Sequence, residues 1–545
     1  MLNTQVSSHN DASEKGTVNI PKGGKFWLVF LAICVSLFLS ALEYTAVATT
    51  LPTIVHDLDG QDFVWVATAY ALAATAFLPA SGGMAEVFGR RPAMLTSLAV
   101  FALGSGLCGS AQSMTWLIAA RTVQGAGGGG ILSITSIIVS DLVPLRERAM
   151  YNAIIGLVWG LASAIGPLVG GALANRGQWR WLFYMNLPIA GVAAALVGVF
   201  LQVKTPEGTL REKLGRMDWI GIILIIASST ATVLGLTWGG VQFAWTSPQV
   251  LVPLILGLFG ILAFFTYEAI VPSHPLVPYS LLSNRTSLSG YIQTFISPVI
   301  GSTVIWFMAT YFQSCRDASP LESAVDSLGL SAAIGPFLII SGVIIAATKS
   351  YRAQLLVGWV FSIVSMGAMS TLRADSPTSH GVGFLVLFGV SMGILYSGTY
   401  FPVLAPLPVT ENAHALALFA FFRSFASVWG VAIGTAILQT QLKMRLPPDF
   451  ASQFPGGVSI AYAAIPAIRT LDEPLKSQVR DAFGRSLQVV WQSAIGISGL
   501  GLLSALVMKG LPLHTEVDEK WALEERDLST ETVSEMKPMT GLPAV

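Results

Sequence analysis

Charge is scarce in this sequence. Only 11% of its 545 residues are Asp, Glu, Lys or Arg, where soluble domains carry about 25%. A chain this poor in polar surface cannot cover itself against water, which excludes an ordinary soluble domain. Thirty basic and thirty acidic residues cancel, so no global field points to nucleic acid. Cysteine is nearly absent as well. Of the three, Cys34 and Cys108 lie inside apolar runs and Cys315 stands alone, so no disulfide framework is expected. The six histidines are scattered, none at H-x-x-x-H spacing with an acid between, and no cysteine pair exists; no metal site is expected. The P-loop sequence G-x-x-x-x-G-K-[ST] is missing, which removes that route to a bound nucleotide. Nor is a cleavable leader expected. The first 25 residues are polar, and the apolar run after them is too long for a signal core and lacks a small-residue cleavage site.

Apolar sequence is what the chain has in abundance: 53% hydrophobic residues and a mean hydropathy of +0.66. A helix needs about 20 apolar residues to cross a hydrocarbon core about 30 Å thick. Fourteen runs qualify. They lie near 26–50, 63–82, 93–111, 115–139, 151–174, 181–203, 218–238 and 249–270, then 287–312, 327–347, 354–372, 381–403, 413–438 and 488–508. With the N-terminus inside, eighteen Lys and Arg fall on the cytoplasmic side and ten opposite, six of the ten in one long loop, 439–487. Among short loops the bias predicts that both termini face the cytoplasm.

Loops divide the chain. A polar N-terminal tail, 1–25, precedes six spans over 26–203. A charged linker, 204–217, leads to an inserted pair of spans over 218–270, and a proline-punctuated linker, 271–286, follows it. Six more spans occupy 287–508, with the loop 439–487 outside, and a polar, acidic tail, 509–545, ends the chain. Short basic turns at matching places, "GGMAEVFGRRPAML" and the degenerate "GVIIAATKSYRAQLL", suggest an internal duplication of the kind found in transporters.

The stretch "LIAARTVQGAGGGGILSITS" fits G-x-G-x-x-G through Gly125, Gly127 and Gly130. A dinucleotide loop would need a preceding strand, a following helix and an acid about 20 residues on. These glycines instead sit midway along a hydrophobic run, closed at its far end by Asp141. Lipid leaves no water for an unwound backbone. The reading is a membrane helix with small residues on one side, where another helix comes close. Packing does not explain Arg121, because a central arginine costs about 2.5–3.5 kcal/mol on insertion scales. Arg121 and Glu43 lie at similar depths, about 9 and 10 Å below the outer ends of spans 4 and 1 at 1.5 Å per residue. Two unlike charges at one depth suggest a shared polar cavity; a buried ion pair locking two helices, or an arginine snorkelling outward, is the alternative. Arg423, about 13 Å above the cytoplasmic edge of its span, is read as snorkelling, and His414 as interfacial.

Several segments together resemble the major facilitator superfamily, specifically its fourteen-helix drug:proton antiporters of fungal type. "GGMAEVFGRR" is similar to the loop G-x-x-x-D-R-x-G-R-K/R through Gly82, Gly89, Arg90 and Arg91, with Glu86 for the usual Asp and Val87 for the usual Arg. Arg121, Gln124 and Gly125 resemble the span-4 motif R-x-x-Q-G. Gly166, Pro167, Gly170 and Gly171 resemble the span-5 antiporter motif. "LEYTAVATTLP" is similar to L-D-x-T-x-V-x-x-x-L-P, with Glu43 for Asp. "WRWLFYMNLPIA" also looks like a segment of the fourteen-span group.

The resemblance implies an all-α integral membrane fold of fourteen transmembrane helices: two six-helix bundles, with the inserted pair between them, around a cavity opening to either face in turn. It implies a carrier rather than an enzyme, without cofactor or nucleotide, probing small-molecule substrate and protons within a lipid bilayer as a monomer. Glu43, Arg121 and Gln124 would serve proton coupling in the cavity. Gly82, Glu86, Gly89, Arg90 and Arg91 would hold the inner gate, and the span-5 motif would form a kinked helix between bundles. Export of a drug, toxin or secondary metabolite through a fungal plasma membrane is the expected activity. The same fold carrying siderophores or vacuolar basic amino acids is one alternative, and a non-transporting membrane sensor or scaffold is another.

Overall fold

The computed structural model describes residues 23–513, apart from 59–63, 146, 203–208, 241, 273, 319, 452–464 and 466–467. Among the described residues the architecture is all helical. The first half comprises α1 (Gly24–Leu58), α2 (Val64–Phe88), α3 (Arg90–Gly109), α4 (Met114–Leu142), α5 (Arg148–Asn175), α6 (Arg180–Tyr184) and α7 (Asn186–Phe200). A short α8 (Leu210–Gly215) precedes the inserted pair, α9 (Trp219–Trp238) and α10 (Pro248–Ile270). After α11 (Ser280–Ser283) come α12 (Arg285–Cys315), α13 (Pro320–Thr348), α14 (Arg352–Met369), α15 (Thr378–Gly398), α16 (Tyr400–Leu404), α17 (Asn412–Arg445), α18 (Pro448–Ala451) and α19 (Leu475–Val507).

Thirteen spans among the described residues are long and apolar enough to cross a bilayer, and α5 makes the fourteenth crossing. An even number of crossings returns the chain to the face where it started, called here the terminal face; the other is the distal face. Two spans are broken in the same way. Pro188 has no N–H to give the carbonyl of Tyr184, where α6 ends, and Pro402 has none for Gly398, where α15 ends.

The halves repeat one packing scheme. In the first, α1 lies on α5 and α7, and α2 and α3 lie on α4; in the second, α12 lies on α17 and α19, and α13 and α14 lie on α15. The inserted helices pair with each other, and α9 touches both α2 and α17. The outer surface of the pair presents Ile223, Leu256, Phe259 and Leu262, the apolar side chains that lipid requires.

Helix ends depart from the hydropathy reading. Of the stretch read as a loop over 439–487, most of the described residues are helical: α17 continues to Arg445 and α19 begins at Leu475. The early turns of α19 bury Val479, Ala482, Phe483, Ser486, Leu487, Val490 and Trp491, an amphipathic stripe at three- and four-residue spacing. Lys476, Arg480, Asp481 and Arg485 lie between them, so a window of mean hydropathy passes over a helix that one face holds in place.

The glycine run of α4 is continuous helix, packed on two sides. A Cβ on Gly125 would overlap the Tyr70 backbone of α2, one on Gly129 the Ala74 backbone, and one on Gly127 the Phe101 backbone of α3. Gly89, before α3, holds φ 93, a left-handed conformation that favours glycine.

Gly125→Val is expected to destabilise the protein by about 1–3 kcal/mol, the range for overpacking a well-filled core. Gly191→Ala, with nothing within 4 Å of the added atom, should cost no stability and can gain up to about 1 kcal/mol from the better helix propensity of alanine. Thermal unfolding of the two variants in detergent checks both.

Candidate functional site

Four side chains from three spans meet in the first bundle. Arg121 of α4 reaches across to α1, where its Nη1 donates to Glu43 Oε1 at 2.6 Å. The same nitrogen donates to Gln124 Oε1 at 2.6 Å, and Nε donates to the Val66 carbonyl at 2.9 Å. Arg121 and Glu43 are each only 1% exposed. Gln124 in turn donates from Nε2 to Ser105 Oγ at 2.8 Å. The second oxygen of Glu43 accepts from Asn186 Nδ2 at 2.5 Å. Beneath the guanidinium lies the Tyr70 ring, 4.5 Å from Arg121 Cζ, its hydroxyl 3.0 Å from Ser40 Oγ.

The helix positions make this meeting possible. Arg121 and Gln124 share one face of α4 at a spacing of three residues. The glycines that follow bring α4 against α2, which supplies Tyr70 and Val66. Gly166 does the same for α1 and α5: an added Cβ would overlap Thr45 Oγ1 and lie 3.1 Å from the Leu42 carbonyl. It therefore packs beside the turn of α1 that carries Glu43. Gly170 is buried in the same helix, and the side-chain surroundings of Pro167 and Gly171 lie outside the described residues. The halves touch nearer the start of α5, which packs on α13; a Cβ added to Gly156 would stand 3.7 Å from Leu338 of that helix.

Chemically, the arrangement is a buried acid with an acceptor's role at both oxygens. Breaking such a pair by removing one partner costs several kcal/mol, about 3–5, because the other charge stays buried. Beside it, Tyr44 is 52% exposed and edges against Trp159 of α5, with ring centroids 5.9 Å apart. The charged centre is sealed, and an aromatic wall stands next to it.

A second cluster closes the terminal face. Arg90 donates from Nε to Asp141 Oδ2 at 2.8 Å, and from Nη1 to the Ala85 carbonyl at 2.8 Å and to Glu86 Oε2 at 3.3 Å. Arg91 donates to the Gly198 carbonyl of α7. Gly82 lets α2 meet α17 of the other half: a Cβ there would stand 2.5 Å from that of Ala417. Nearby, His414 Nδ1 lies 3.0 Å from the Leu276 carbonyl, on the linker after the inserted pair.

Arg423 departs from the snorkelling expectation. Its Cζ lies 3.3 Å from the Tyr396 ring centroid of α15 and 5.1 Å from that of Phe419. Two aromatic faces hold it within the protein, a contact worth about 0.5–2 kcal/mol or more when desolvated.

Sequence reasoning passed over Asn186, Tyr70 and Asp141. Asn186 is a lone carboxamide in "FYMNLPIA", and Asp141 a lone acid closing span 4. Isolated polar residues in apolar runs were the available signal, but nothing linear pairs them with Glu43 or Arg90.

The sequence profile of the Major Facilitator Superfamily matches residues 33–431. This chain belongs to that superfamily. It is 40% identical over 540 residues to the MFS-type efflux pump LUC4 of a Fusarium species, covering 97% of this chain and 96% of that one. It is 38% identical over 523 residues to the efflux pump FUS6 of Gibberella fujikuroi, covering 94% of each. Among solved structures, the human organic anion transporter MFSD10 superposes with a TM-score of 0.56 at 15% identity, covering 89% of this chain and all 100% of that one. The proton:xylose symporter XylE gives 0.54 at 11% identity, covering 91% of this chain and 99% of its own. Superfamily membership makes the chain a membrane transporter of small molecules rather than an enzyme.

Arg90→Ala should cost about 3–5 kcal/mol by leaving the buried Asp141 without its guanidinium. The double variant Arg90→Ala/Asp141→Ala should recover part of that loss. A double-mutant cycle by thermal unfolding reads the difference.

Proposed function

We propose that this transporter is a proton-driven exporter of small amphipathic organic molecules, a monomer in a fungal plasma membrane with both termini in the cytoplasm. The observation that carries the reading is the Glu43–Arg121 pair with Gln124 and Asn186, sealed in the bundle beside the exposed Tyr44. A guanidinium does not exchange its proton in the physiological range, so Glu43 is the member of the pair able to bind and release one.

Asn186 suits that role in either state. Its Nδ2 donates to the carboxylate, while its buried Oδ1 has no partner. Rotated by half a turn, the same amide would accept the proton of a neutral Glu43. Proton uptake would then loosen the Arg121 contact while the new hydrogen on Glu43 keeps an acceptor. Cargo entering beside Tyr44 and Trp159 would favour one state over the other, which is how binding couples to proton movement.

The terminal-face closure supports alternating access. Gly82 against Ala417 and Gly156 against Leu338 join the two halves toward that face. In the cycle proposed here, Gly82, Glu86, Gly89, Arg90 and Arg91 form the cytoplasmic gate. Gly166, Pro167, Gly170 and Gly171 let α5 move against α1. The names of LUC4 and FUS6, both efflux pumps, favour export over import.

The test is accumulation of lipophilic dyes and drugs in cells expressing the protein. Wild type should lower accumulation at least severalfold, a proton ionophore should abolish the effect, and Glu43→Gln should reach the membrane yet export nothing. Full export by Glu43→Gln would make the pair purely structural and end the coupling reading.

A further inference from the structure

Arg423 differs from Arg121 and Arg90 in what it leaves unspent. Arg121 and Arg90 each face a buried carboxylate. Among the described residues no carboxylate pairs with Arg423. A guanidinium carries five N–H donors, and among the described residues the one hydrogen bond that the Arg423 guanidinium makes runs from Nη2 to the Tyr396 carbonyl at 3.3 Å. Its flat face is covered by Tyr396 and Phe419, and the residue is only half-buried.

Arg423 stands on a helix that touches both bundles. Arg423 lies about 16 Å along α17 from Asn412 at 1.5 Å per residue, close to mid-membrane. The Arg423–Tyr396 contact crosses from α17 to α15. These helices pack mainly on other neighbours: α15 on α13 and α14, α17 on α12 and α2. Both also reach the first bundle, α17 through α2 and α4, and α15 through α5. Tyr44 and Trp159 stand on α1 and α5 of that bundle, and α5 is the helix that α15 meets. Tyr396 is itself 39% exposed.

We infer that Arg423 and Tyr396 form an anion-recognising subsite, and that the cargo is an organic acid: an apolar body bearing a carboxylate. A carboxylate takes two parallel N–H bonds from a guanidinium, and the aromatic faces that hold Arg423 keep it oriented before cargo arrives. The apolar body would lie against Tyr44 and Trp159. The inference deepens the transport reading proposed above and rests on it for its physiological use. Its test needs only binding.

Purified protein in phosphatidylcholine nanodiscs is titrated with pyrenebutyrate, with naphthylacetate and with the methyl ester of each. For at least one pair, wild type should bind the acid about tenfold more tightly than its ester. Arg423→Gln should remove that preference while keeping ester affinity within about twofold, and Arg423→Lys, which retains the charge, should keep part of it. Equal or weaker binding of both acids relative to their esters in wild type overturns the inference. So does an acid preference that survives in Arg423→Gln. A joint loss of acid and ester in a folded Arg423→Gln protein would make Arg423 a packing staple and overturn it as well. Binding requires no gradient, so the two readings fail separately. A correct acid preference without ionophore-sensitive export would leave the subsite standing and remove the exporter.

Discussion

A bilayer core offers no hydrogen-bond partner, and every polar group carried into it must be answered from within the protein. The positions of Arg121, Glu43, Gln124 and Asn186 follow from that constraint. One arginine at this depth costs about 2.5–3.5 kcal/mol on insertion scales. Its cost is offset by a carboxylate, a carboxamide, a backbone carbonyl and a tyrosine ring, contributed by α4, α1 and α2. Helices must approach closely for such short side chains to meet, and glycine permits it. Gly125, Gly127 and Gly129 seat α4 against α2 and α3, and Gly166 seats α5 against α1. The glycine run and the buried charge are thus two parts of one solution.

The same physics acts at the terminal face with a different result. Arg90 ties the end of α2 to the end of α4 through Glu86 and Asp141. Gly82 then brings that corner against Ala417 in the other half. Charge makes the corner rigid and a missing side chain lets it dock. The pairs of Arg90 with Glu86 and with Asp141 both lie within the first half, so the small-residue contact with the other half can separate without breaking them. That property suits a surface that opens and closes.

Fourteen crossings, the inserted pair and the membrane helix across the glycine run were all legible in the sequence. Helix periodicity and apolar run length depend on neighbours a few residues apart. The ends of the spans were less legible. The start of α19 hides its apolar stripe among charged residues, and a linear average cannot separate two faces of one helix. Asn186 and Asp141 were visible as isolated polar residues, but their partners lie 143 and 51 positions away. Arg423 was read against the bilayer edge, because Tyr396, 27 positions off, carries no mark of a shared site.

Composition and periodicity by themselves determined the solvent of this protein, its class of structure, and the short list of charges that a membrane interior must explain. These depend on local free energies: the transfer of apolar side chains, backbone satisfaction within each helix and the cost of a buried charge. Tertiary structure alone decided which charge met which. It joined Arg121 to Glu43 and Arg90 to Asp141, and it left Arg423 on aromatic rings with donors to spare. The reason is geometric. A helix fixes only the depth and direction of its side chains, whereas partnership depends on which helix stands opposite, and packing of the whole bundle determines that.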